Sequence, residues 1–73
     1  MPNSKRVFLV DDDDMLRESL AEQFVISGFS PVGAATLAEG REKGLDGLYE
    51  FMILDVSLPD GDGRELCREF RAK

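Results

Sequence analysis

Three acids that follow apolar runs are the residues of this chain best suited to chemistry. Val7-Phe8-Leu9-Val10 runs into Asp11-Asp12-Asp13-Asp14, and Phe51-Met52-Ile53-Leu54 runs into Asp55. An apolar run that ends in an acid reads as a buried strand delivering a carboxylate at its C-terminal tip. After Asp55, Pro59, Gly61 and Gly63 break the chain into a tight loop. Brought into one crevice, Asp11, Asp12 and Asp55 would repel one another, so some must take up protons or a cation must neutralise them. Hard oxygen donors suit Mg2+ or Ca2+, and few protein ligands with several waters suit Mg2+ in particular. A metal there would neutralise charge and bridge a phosphoryl group to the protein. Asp55 would then serve as a nucleophile on phosphorus, forming a labile acyl phosphate, a property useful in a switch.

Plainer readings compete at each position. Asp11 to Asp14 alone would be a solvated run capping a helix, and Asp55 alone a strand-end turn residue. Their matching placement after two apolar runs favours a shared site. Asp60-Gly61-Asp62-Gly63 resembles the start of a calcium loop, but the twelfth position from Asp60 is Arg71 rather than Glu, so a turn is expected. A loop counted from Asp11 does reach Glu22, but Leu16 stands where such a loop needs Gly. Cys67, between Leu66 and Arg68 and near Phe70, reads as a helix core residue rather than a nucleophile.

The elements that must position the acids follow from periodicity. The continuous β-rich apolar run at 7–10 suits a strand covered on both faces, as in a parallel sheet, and the run at 51–54 another buried strand. Asp13 or Asp14 can cap a helix running to about Ser27. Leu16, Leu20 and Phe24 make its core face, widened by Ala21 and Val25, with Arg17, Glu18, Glu22 and Gln23 on the polar side. Gly28 is placed to end it. Phe29 to Ala35 is a second strand, and Pro31, which cannot donate to a ladder, predicts an edge position or a late start. Thr36 and Glu39 match a capping box for a helix to about Leu45, closed by Asp46-Gly47, with Gly40 and Gly44 inside it. Asp62 can cap a last helix with Leu66, Cys67 and Phe70 as its apolar stripe. The order β-α-β-α-β-α implies a parallel sheet with right-handed crossovers and helices on both faces. Ligand sites in such sheets lie beyond the C-terminal strand ends, at a switch in strand order. If the first and third strands are neighbours, the three acids meet there.

The whole chain bounds the reading further. Its 73 residues make one small domain. A net charge of −6 argues against nucleic-acid binding by this segment. The absence of His excludes a Ser-His-Asp or Cys-His mechanism supplied by this chain. One Cys excludes an internal disulfide and fits a reducing compartment. No secretory signal or bilayer-spanning run is present, so a cytoplasmic protein without membrane contact is expected.

On these residues the chain resembles the receiver domain of two-component response regulators. Val7 to Asp12 is similar to that family's first strand and acidic pair, and Ile53-Leu54-Asp55 to its third strand and phosphoacceptor. Pro59 and Asp62-Gly63 are similar to its following loop, and Phe29 to Thr36 to its second strand and turn. The resemblance implies a flavodoxin-like, doubly wound α/β sheet truncated to β-α-β-α-β-α. Residues 1–73 would be an incomplete receiver domain, without the last two β-α units and the Ser or Thr and the Lys that these bring to the phosphoryl group. It implies that Asp55 takes phosphate from a sensor histidine kinase and that the chain is not a turnover enzyme. Mg2+ would be held by Asp12, Asp55 and the Ser57 backbone carbonyl, with Asp11 acting mainly through a metal-bound water. Gly40 and Gly44 stand where larger apolar residues are usual, which predicts a loosely packed second helix. Arg64 stands where the family commonly has an apolar residue.

Two other readings are carried. The chain could be an inactive fragment acting as an assembly module, its uncovered sheet edge and helix faces pairing with a second copy, a C-terminal half or an output domain. A phosphatase with an Asp nucleophile would carry a second Asp two residues later, where Ser57 stands.

Overall fold

The computed structural model describes residues 5–44 and 49–71. The turn expected at Asp46-Gly47 lies outside them. Strand β1 (Lys5–Val10) leads to helix α1 (Asp14–Ile26), β2 (Phe29–Ala34), α2 (Leu37–Lys43), β3 (Phe51–Leu54), the two-residue strands β4 (Ser57–Leu58) and β5 (Gly61–Asp62), and α3 (Arg64–Arg71). The main sheet is parallel in the order β2-β1-β3. The central β1 is the four-residue apolar run of the sequence with two more residues before it. Val7, Phe8, Leu9 and Val10 are all buried, as a strand flanked and covered on both faces requires. Pro31 is tolerated because β2 is an edge strand that pairs only with β1, Pro31 opposite Val7.

Alternation along the strands divides the core. Phe8 and Val10 point to one face, where they pack with Ala34, Leu37, Leu58 and Leu66, bordered by Met52, Leu54 and Phe70. Helices α2 and α3 cover this side. The other face carries Val7, Leu9, Phe51 and Ile53, with Phe24 of α1 packed edge-on to Phe29 and tilted to Phe51. Here two expectations are corrected. β3 is not a buried strand: Phe51 and Ile53 remain 43% and 38% exposed, because α1 lies mainly over β2 and β1 and meets β3 through Phe24 against Phe51. The inward stripe of α1 is also rotated from the expected one. Leu16 and Val25 are exposed, whereas Arg17, Leu20, Ala21 and Phe24 are half-buried at i, i+3, i+4 and i+7. Arg17 joins this stripe because its aliphatic stem lies on the sheet while its guanidinium finds oxygen partners at the helix start.

Helix ends follow the local chemistry. Asp13 caps α1 by accepting the Leu16 N–H, and Gly28, at φ 90°, takes the left-handed turn that ends it. Thr36 caps α2 by accepting the Glu39 N–H. Glu39 reaches back to the Ala35 N–H, one residue earlier than the capping box predicts. The remaining orphan donors of α2, the N–H groups of Leu37 and Ala38, are taken by Asp60 at 2.8 and 3.1 Å. Asp60 thus caps a helix 22 residues away. The loop after Asp55 is not plain coil: β4 and β5 form a two-rung antiparallel ribbon with Pro59 and Asp60 at its tip, which aims Asp60 at α2.

Gly40 and Gly44 do not loosen α2. Both are buried, and they are where α3 approaches it. A Cβ on Gly40 would lie 2.6 Å from Leu66, and one on Gly44 would collide with the Phe70 ring. The helix pair is closed outside by Arg41, whose guanidinium bonds both oxygens of Glu69.

These caps predict an acid-sensitive helix. Backbone N–H groups of Leu37 and Ala38 hold the Asp60 carboxyl below its ordinary value, and the Ala35 N–H does the same for Glu39. A lowered folded-state value means that the contribution is complete above the ordinary carboxylate range and is lost as pH falls through the lowered value. Urea midpoints should therefore fall between about pH 6 and about pH 3, and Asp60→Asn should flatten that dependence. An unchanged pH profile in Asp60→Asn would contradict the cap. Thr36→Ala, which removes the local partner, should cost about 1 kcal/mol in the same assay.

Candidate functional site

The parallel ladder brings the first residue after β1 and the first after β3 side by side. Asp11 donates its N–H to Ala34 O at 3.0 Å, and Asp55 donates its N–H to Val10 O at 2.8 Å. The pairing thus runs one residue past each strand and fixes where both acids leave the sheet. Asp11, Asp12 and Asp55 each offer a carboxylate oxygen, and these atoms lie within 4.8 Å of one another. Asp11 and Asp55 are half-buried and Asp12 is exposed. Among the described residues this is the one cluster of three potential metal-ligating side chains.

Local bonds orient the cluster. One Asp11 oxygen accepts the Asp13 N–H at 2.9 Å, and one Asp55 oxygen accepts the Ser57 N–H at 3.1 Å. Asp13 is turned away to cap α1. Asp14 pairs with Arg17 at 2.6 Å, so it helps hold the helix start as the sequence predicts of a capping acid. Ser57 is placed at the rim: two residues beyond Asp55, exposed, and paired with Asp62 across the ribbon. Pro59, at the ribbon tip, is exposed. Gly63 lies against the Asp55 backbone, its N–H donating to Val56 O at 2.8 Å. Asp62, expected to cap α3, does accept the Arg64 N–H, and it also pairs with the Arg64 guanidinium, which takes its carboxyl from 3.8 to about 2. Cys67 is half-buried on α3 and lies outside the core cluster, which its neighbours Leu66 and Phe70 join instead.

The donor set suits a hard divalent cation. Three carboxylates from two loops supply oxygen only, with no thiolate or imidazole in reach, and such a set selects Mg2+ or Ca2+ over softer metals.

Two residues, one bonded to the acid loop and one capping α2, have roles that the sequence does not openly announce. Arg17 donates to the Asp11 backbone carbonyl at 2.7 Å. Its signal was present, three residues beyond Asp14 and in helical step with Leu20, Ala21 and Phe24. Asp60 had no local signal, because its partners lie in another element.

Comparison with known proteins identifies the family and the fold. A family-wide model described as the response regulator receiver domain matches residues 7–73. The chain is 37% identical to the transcriptional regulatory protein GltR of Pseudomonas aeruginosa, over 96% of this chain and 29% of that protein. It is 33% identical to the swarming motility regulation protein RssB of Serratia marcescens, over 90% of this chain and 30% of that protein. Among solved structures, the non-phosphorylated HemR receiver domain from Leptospira biflexa superposes with a TM-score of 0.90 at 30% identity, covering 96% of this chain and 56% of that one. The chain therefore spans about 30% of the length of these curated relatives and a little over half of that receiver structure.

Proposed function

The chain belongs to the response regulator receiver domain family, and from that membership we propose that it is a phosphoacceptor in two-component signalling, with Asp55 as the acceptor. The observation that carries this reading is the convergence of Asp11, Asp12 and Asp55 within 4.8 Å at the C-terminal ends of adjacent parallel strands. The donor is a sensor histidine kinase. An Asp55 carboxylate oxygen forms a bond to phosphorus while the phosphorus–nitrogen bond of the phosphohistidine breaks, and the imidazole keeps the electron pair.

Each residue has a part. When Mg2+ is bound, Asp12 and Asp55 would hold it through their carboxylates and Ser57 through its backbone carbonyl, with Asp11 contributing indirectly through water. Bound Mg2+ supplies the positive charge that lets an anionic phosphoryl group approach three acids. The Ser57 N–H, already bonded to one Asp55 oxygen, keeps the carboxylate oriented and leaves its second oxygen for attack. Asp13 and Asp14 hold the start of α1 rather than the metal.

The chain is a signalling component that is modified once rather than an enzyme that turns over. Its location is the cytoplasm, where the catalytic part of such a kinase works, and no helix among the described residues is long and apolar enough to cross a membrane. The family match and the assembled acid cluster favour this reading over an assembly module. The test is incubation with a small acyl phosphate donor, with and without Mg2+, followed by intact mass. Uptake of one phosphoryl group only with Mg2+ is expected, and no uptake, or uptake indifferent to Mg2+, would refute the proposal.

A further inference from the structure

We propose that Arg17 is a positioning residue of the acid site and that Gly33 is the recess it requires. The inference rests on the reading of Asp11, Asp12 and Asp55 as a Mg2+ site. Arg17 lies on a helix with no fully buried residue, yet its own side chain is only 18% exposed. It is drawn in by two oxygens. One guanidinium nitrogen donates to the Asp11 carbonyl at 2.7 Å, and another pairs with the Asp14 carboxylate at 2.6 Å. The stem crosses Gly33 of β2, where a Cβ would lie 3.1 Å from Arg17 Cδ and 3.3 Å from Nε. A side chain at residue 33 would crowd that path and push the Arg17 stem away.

The Asp11 carbonyl belongs to the peptide that joins the two acids. A bond to it therefore sets the rotation of the Asp11-Asp12 unit about the end of β1. The other ties in this loop, Asp11 to the Asp13 N–H and Asp13 to the Leu16 N–H, run forward into the helix. Arg17 ties back from the helix to the strand end and so closes the loop on itself. Its fork is needed, since one planar group reaches both oxygens at once and a lysine ammonium offers no such geometry.

Its charge pulls the other way. A cation beside three acids should weaken the binding of a second cation. Asp14 offsets that charge directly, which leaves the positional effect dominant. The two roles predict opposite signs. Loss of a merely repulsive Arg17 would tighten Mg2+ binding, whereas loss of a positioning Arg17 weakens it.

The experiment titrates Mg2+ into the full 73-residue chain by NMR and follows amide exchange in the same samples, for the wild type, Arg17→Met, Arg17→Lys and Gly33→Val. Arg17→Met should weaken Mg2+ binding about tenfold, the usual effect of removing a group that orients a metal ligand. Arg17→Lys should fall between Arg17→Met and the wild type. Gly33→Val, which leaves Arg17 in the sequence but fills its recess, should match Arg17→Met. Exchange at the Asp13 and Leu16 amides should quicken in Arg17→Met and Gly33→Val while the Val7 to Val10 amides keep their protection. Unchanged or tighter Mg2+ binding with unchanged loop exchange would overturn the proposal. If Arg17→Met loses β1 protection as well, Arg17→Lys and Gly33→Val decide by the same criteria. A wild-type chain that does not respond to Mg2+ would sink the metal site, and the loop exchange would still decide whether Arg17 positions the acids.

Discussion

Asp55→Asn should leave the chain folded and end phosphoryl uptake. The amide keeps the shape of the side chain, and its oxygen can still accept the Ser57 N–H that Asp55 accepts at 3.1 Å. The backbone bond from residue 55 to Val10 O is untouched, so the end of β3 should stay in register. What is lost is the nucleophile, because a neutral amide oxygen does not form a stable bond to phosphorus under conditions where a carboxylate does. Intact mass after exposure to a small phosphodonor should show no modified species, against one phosphoryl group on the wild type. Circular dichroism should be unchanged. Equal uptake by wild type and variant would move the acceptor elsewhere.

Gly63→Ala should damage both the fold and the site. Gly63 is buried, and an added Cβ would collide with the Asp55 carbonyl oxygen, lie 3.0 Å from its carbonyl carbon and 3.5 Å from Leu58. Its φ is not positive, so the requirement is for space rather than backbone freedom. The obstacle is main chain, which no rotamer change relieves. Either the tip of β3 or the start of α3 must move. Overpacking of this kind costs up to about 3 kcal/mol, a large part of the stability of a small domain. Urea unfolding should show the loss, and the remaining folded fraction should take up phosphate more slowly because Asp55 is displaced. A variant within about 0.5 kcal/mol of the wild type, with normal uptake, would show that this contact is not tight.

Strands β1 to β3, the three helices and the acid cluster could be read from the sequence because each depends on local pattern, whereas the β4–β5 ribbon reads there only as a loop. Apolar runs ending in Asp11 and Asp55 mark strand tips, and parallel order carries both tips to one side of the sheet. The Thr36 cap and the Gly28 stop are likewise set within a few residues. What escaped depends on partners distant in sequence. Gly40 and Gly44 look like helix breakers until Leu66 and Phe70 are set against them, and then they are the contact between α2 and α3. Asp60 looks like a turn acid until the ribbon carries it to the N-terminus of α2. Arg17 reads as part of the polar side of α1 because it is charged, although Gly33 and two oxygens make the inward position the favourable one. The exposure of Phe51 and Ile53 was hidden by their composition, which suits a buried strand, while the reach of α1 decides it.

The central claim is that the acids at the ends of β1 and β3 form one Mg2+-dependent phosphoacceptor site with Asp55 as the residue modified. The measurement that tests it most directly locates the phosphate. Borohydride reduces an aspartyl phosphate to homoserine, and peptide mass mapping then reports which residue carried it. Homoserine at position 55 alone, formed only when Mg2+ accompanies the phosphodonor, is the predicted result. Homoserine at Asp11, Asp12, Asp13 or Asp14, or labelling of Asp55 that does not depend on Mg2+, would contradict the account.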